Sequence, residues 1–74
     1  VNEKELKKLR ILLEHWIEHN EAHAEEFKEW ADKAKELRSS AVSEEIATAS
    51  ECMLKANESL RDAIESIESM DSGI

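Results

Sequence analysis

The stretch Leu37-Arg38-Ser39-Ser40-Ala41-Val42-Ser43-Glu44-Glu45 decides how this chain folds, because a helical pattern running through both of its sides loses register there. On the N-terminal side, Leu6, Leu9, Leu13, Trp16, Asn20, His23, Phe27, Trp30, Ala34 and Leu37 advance in alternating steps of three and four. Eight of these ten are apolar, with Ile17, Ala24 and Ala31 widening the stripe on one flank and Leu12 on the other. That period belongs to an amphipathic helix facing a core. On the C-terminal side, Val42, Ile46, Ala49, Met53, Ala56, Leu60, Ala63, Ile67 and Met70 repeat the same steps, widened by Leu54 and Ile64. The pattern predicts one domain over residues 1–74, with a helix at about 3–38, a turn at about 39–40 and a helix at about 41–71. Ser40 or Ser43 can accept the free N–H groups at the start of the second helix, and Glu44 and Glu45 suit its positive end. One continuous helix is the competing arrangement.

So short a connection makes the helices antiparallel, with residues facing one another when their numbers sum to roughly 80. His23 then lies opposite Ala56, and Asn20 opposite Leu60. Two helices cover only one side of each stripe, and a core this small rarely supplies more than about 3–5 kcal/mol. The expected fold class is therefore all-α: an antiparallel two-helix hairpin, pairing as a homodimer into a four-helix bundle.

Composition agrees with helices and narrows the partners. There is no proline, and the one glycine is Gly73, so the punctuation of β-hairpins is absent. Net charge is −8, which disfavours nucleic acid by repulsion of phosphate. No apolar run is long enough for a membrane span, and the Glu-rich polar faces disfavour anionic lipid. With no signal-peptide pattern the reading is cytoplasmic. The chain starts at Val1 rather than Met, which leaves room for an upstream segment. Cys52 is the only cysteine and is read as a small buried apolar residue, while Trp16 and Trp30 are read as core anchors.

The chemistry-bearing residues are concentrated. All three histidines, His15, His19 and His23, stand at i, i+4, i+8, a row along one side of the first helix. Neighbours in such a row can chelate one divalent metal through imidazole nitrogens. Glu26 lies one turn beyond His23, and Glu58 or Asp62 of the second helix could orient a histidine or complete a metal shell. Asn20 and His23 also occupy consecutive seam positions between the layers of Trp16 and Phe27. Buried polar groups need partners, and a polar seam residue often fixes register or oligomeric state with no ligand at all. Spacing leaves three readings open: register specification, metal ligation, and a leftover exposed pair with neither role. His23 stands at a seam position, so its ring is expected to point into the bundle and to bond Asn20, Asn57 or a carboxylate of the second helix, directly or through a metal or water.

Two motif matches fail on chemistry. His15-Trp16-Ile17-Glu18-His19 fits the inverted zinc-protease pattern, but that pattern needs a distant third ligand and a substrate cleft. Di-iron bundles need Glu-x-x-His pairs, and no histidine here has a Glu three residues before it. With no nucleophile–base pair and no phosphate loop, an enzyme is not expected.

The run His15-Trp16-Ile17-Glu18-His19-Asn20-Glu21-Ala22-His23-Ala24-Glu25-Glu26 resembles a small prokaryotic family of uncharacterised helical-hairpin domains. Those members carry H-N-x-x-H-A-E-E in the first helix and A-N-x-x-L or G-N-x-x-L in the second, matched here by Ala56-Asn57-Glu58-Ser59-Leu60. Some have a histidine-rich tail before the hairpin, which this chain lacks, and are suspected of handling nickel, cobalt or zinc. The resemblance implies that His19, Asn20, His23, Glu26 and Asn57 are the site positions. The leading expectation is a non-enzymatic transition-metal-binding module for chelation, storage or delivery. Its rival is a structural dimerisation or protein-interaction module with no ligand.

Overall fold

A computed structural model describes residues 2–72 of the chain. Val1, Gly73 and Ile74, included in the single-domain reading, lie outside the described residues. Two helices account for almost all of the rest: α1 (Glu3–Glu36) and α2 (Ser40–Ser72), packed on one another with no strand among the described residues. The chain folds back at the predicted break, giving an elongated body of 57 × 15 × 13 Å. No helix is long and apolar enough to cross a membrane.

Local chemistry explains the ends. Asn2 caps α1, its Oδ1 accepting from the backbone N–H groups of Lys4 at 3.1 Å and Glu5 at 3.3 Å. Glu3 and Glu5 sit in the first turn, and Lys33 and Lys35 in the last, each matched to the helix dipole. At the C-terminus, Arg38 takes a left-handed backbone with φ 63°. Its N–H donates to Lys35 O at 3.0 Å, and the Ser39 N–H donates to Ala34 O at 3.0 Å. This is a Schellman closure, in which two otherwise orphaned carbonyls are satisfied. It ends α1 at Glu36, two residues before the expected boundary, and centres the turn on Arg38 rather than at residues 39–40. Of the two serines expected to cap the second helix, Ser40 is its first residue and Ser43 is buried with its hydroxyl on Ala31 O, and no acidic residue lies in the first turn of α2, so Glu44 and Glu45 stand beyond it.

The seam between the helices is rotated from the expected line. Leu13, Ile17, Ala24, Ala31 and Ala34 of α1 are buried, together with Ser43, Ser50, Asn57 and Ile67 of α2. Leu13, Ala34 and Ile67 of the expected line are buried, but Ile17, Ala24 and Ala31, expected only to widen it, join them at the centre, while the expected anchors Trp16 and Trp30 are 43% and 55% exposed and the seam position Leu37 is 74% exposed. Cys52 is also exposed, not buried. The physical reason is a ladder of polar rungs. Ser43 Oγ donates to Ala31 O at 2.7 Å, Ser50 Oγ to Ala24 O at 2.8 Å, and Asn57 Nδ2 to Ile17 O at 3.1 Å. The rungs climb α2 by seven residues as they descend α1 by seven, which is the heptad spacing of a two-helix seam. Each carbonyl already serves its own helix and offers its second lone pair to the rung. Such bonds need closely spaced backbones, which Ala24, Ala31, Ser43 and Ser50 permit and a tryptophan at the contact would not.

Candidate metal-binding site

The ladder also fixes the level of the site. Asn57 is fully buried, at 0% exposure. Besides its rung, its Oδ1 accepts from Asn20 Nδ2 at 3.0 Å. Asn20 thus meets Asn57 rather than the expected Leu60, because moving the turn centre back to Arg38 shifts every facing pair. No described buried side-chain nitrogen or oxygen lacks a hydrogen-bond partner. Both asparagine amides are committed to holding helix against helix.

The histidines stand beside this pair, on the flank of α1. His19 and His23 turn toward each other, with their Nε2 atoms 2.8 Å apart and their ring centroids 4.4 Å apart. His23 Nδ1 lies 3.5 Å from Glu26 Oε2. A carboxylate there favours the tautomer that carries its proton on Nδ1, so that the His23 Nε2 lone pair accepts from the Nε2–H of His19, a hydrogen bond that a metal would have to displace. Two nitrogens bound at about 2.0–2.1 Å and roughly 90–110° apart would lie about 2.8–3.4 Å from each other, so the observed spacing is at the near edge of a chelate's bite. His15 is one turn back, its ring centroid 6.2 Å from that of His19.

The structure brings together only part of the expected set. His23 does not point into the seam. It is half-buried, with 41% of its side chain exposed, and it packs between His19 and the ring of Phe27. Its position shares the fate of Trp16 and Trp30, seven residues to either side, once the seam rotates toward Ala24. Glu58 and Asp62 are exposed and have no hydrogen bond or ion pair to an imidazole. Among the described residues, no three His, Cys, Asp or Glu side chains are grouped so as to hold a metal ion. Glu26 approaches the Nδ1 edge of His23, away from the Nε2 pair, so it orients the ring rather than joining the chelate.

The two broad faces of the hairpin differ in character. One carries the interhelix ion pairs Arg61–Glu21 at 2.7 Å and Arg10–Glu68 at 3.1 Å. The other holds an open groove of about 490 Å³ lined by Phe27, Trp30, Val42, Glu45, Ile46 and Ala49. Trp16, His23 and Trp30 recur every seven residues on that apolar side. Sequence reasoning missed Ser43 and Ser50 as the residues that set the seam, although serines seven apart, continued by Asn57, were a visible signal.

No curated protein and no solved structure matches this chain. Residues 9–67, which hold the histidine pair, the asparagine pair and the whole ladder, match a family described as Domain of unknown function (DUF8180), and the chain belongs to that family.

Proposed function

We propose that this hairpin is a non-enzymatic module that binds a divalent transition metal through His19 and His23, in chelation, storage or delivery. One observation carries the reading: the two Nε2 atoms face each other at 2.8 Å, with Glu26 behind the His23 ring. Nothing in the ladder needs that arrangement, since the seam hydrogen bonds run through Ser43, Ser50, Asn20 and Asn57. Imidazole ligands suit nickel, cobalt, zinc and copper. Calorimetric titration with each metal tests the reading. The intact chain should bind with release of heat, and His19→Ala or His23→Ala should abolish it. An intact chain that binds none of nickel, cobalt or zinc at neutral pH would refute it.

A second reading has its own support. Leu9, Trp16, Trp30, Val42 and Met70 are all more than 40% exposed. An apolar face of that extent favours pairing of two hairpins into a four-helix bundle, as a cytoplasmic homodimer. On this reading the chain is a structural dimerisation module, and its association persists in the presence of a chelator.

A further inference from the structure

Resting on the metal-binding reading, we infer that the ion is shared: a second copy of this chain packs antiparallel along α1 and completes the coordination shell with its own His19 and His23. The first reason is coordination number. One chain supplies two imidazole nitrogens, and no third His, Cys, Asp or Glu joins them. Closed tetrahedral sites take four protein ligands, so two positions are left here for water or for a second chain, and a second chain supplies them with the same residues.

The second reason is where the pair sits. Leu12, Trp16, His19, His23, Glu26 and Trp30 alternate steps of four and three along α1. They form a second stripe, about a quarter-turn around the helix from the seam that faces α2. A helix in a four-helix bundle uses two such stripes, one for each neighbour. In an antiparallel two-fold pairing, residue i of one copy meets residue j of the other and the reverse. With the axis at the level of Glu21, His19 meets His23 of the second copy, Trp16 meets Glu26, and Leu12 meets Trp30. One register thus gathers four imidazoles at its centre and places apolar residues against each other toward the ends.

The third reason is exposure and charge. Leu12, Trp16 and Trp30 of this stripe are 46%, 43% and 55% exposed, an apolar row that a second copy covers. Each chain carries a net charge of −8, so two copies repel. A divalent cation on the axis offsets part of that repulsion, which makes assembly responsive to metal.

The test combines titration with sedimentation equilibrium on the full chain, using zinc and cobalt. Expected are one metal per two chains, a doubled mass, and a cobalt visible spectrum of four-coordinate type. His23→Ala, at a half-buried flank position outside the helix seam, should keep its helical circular dichroism but lose metal and the metal-driven change in mass. Trp30→Glu touches no ligand, yet it should weaken metal by more than the roughly 10–100-fold that loss of a supporting outer contact costs. One metal per chain on a monomer would overturn the shared site and leave the chelating pair standing. Binding by neither the intact chain nor any variant would overturn both.

Discussion

Replacing Asn57 is the sharpest probe of the ladder, because this side chain is wholly buried and bonds to α1 twice. In Asn57→Ala the Nδ2 rung to Ile17 O and the Asn20 contact both vanish. Each such bond contributes about 0.5–1.5 kcal/mol net. The Ile17 carbonyl keeps its helical partner, and half-buried Asn20 can turn to water, so neither group is stranded. The lost side-chain volume adds about 1 kcal/mol of cavity cost, since neighbours relax only in part. The total is about 2–4 kcal/mol, a large share of the ~3–5 kcal/mol such a small core supplies. At about 4–8 °C per kcal/mol for a domain of this size, the melting temperature should fall by about 10–30 °C. Thermal and urea unfolding followed by circular dichroism at 222 nm would measure it. A double-mutant cycle with Asn20→Ala should return a coupling of about 0.5–1.5 kcal/mol for the amide pair. An Asn57→Ala chain within about 0.5 kcal/mol of the parent, the range of ordinary surface substitutions, would show that the seam does not run through Asn57.

Three other perturbations test separate parts of the structure. Ser50→Leu should destabilise by about 1–3 kcal/mol in urea unfolding, because the rung that reaches Ala24 O at 2.8 Å leaves no room for a branched side chain. Arg38→Gly should stabilise by about 0.5–1 kcal/mol in the same assay, since glycine accepts the left-handed backbone that any side chain resists. Nickel, cobalt or zinc at a hundredfold excess over its dissociation constant should add ~2.7 kcal/mol by mass action, a rise of about 10–20 °C in melting temperature. Binding requires unprotonated imidazoles, so this stabilisation is present at neutral pH and lost on acidification. A rise that persisted unchanged into acid would assign the ion to carboxylates instead.

Sequence periodicity was enough for the hairpin, because both helices repeat steps of three and four and Arg38-Ser39-Ser40 interrupts them. It was not enough for the seam. A stripe that includes Leu9, Leu13, Trp16, Ile17, Ala24 and Trp30 spans more of the helix than one neighbour covers, and ranking residues by hydrophobicity favours Trp16 and Trp30. What decides the contact is how closely the backbones can approach. Ala24 and Ala31 across from Ser50 and Ser43 permit that approach, and the serine hydroxyls reward it with cross-helix hydrogen bonds. Serine in a heptad position reads as polar and therefore outward, so the rungs were hidden by the usual meaning of the residue.

The same rotation separates two polar features that the sequence places side by side. Asn20 and His23 are three residues apart, and on the expected seam both would be buried and compete for the same partners. With the seam turned toward Ala24, Asn20 stays at the helix contact and bonds Asn57, while His23 moves to the flank and turns to His19 and Glu26. Register is thus set by an amide pair that bridges the helices. The imidazole pair belongs to α1 alone, since both rings and the carboxylate beside them lie within eight residues of one helix. Its geometry therefore depends on the helicity of α1 more than on the ladder. A side chain held at a helix contact cannot readily give up its partner, whereas His19 and His23 can release their mutual contact and turn both nitrogens to an ion without disturbing Asn20, Asn57 or any rung. With the two polar features on different sides of α1, the hairpin is held in register at the asparagine pair, while the proposed ligand pair stays free to turn.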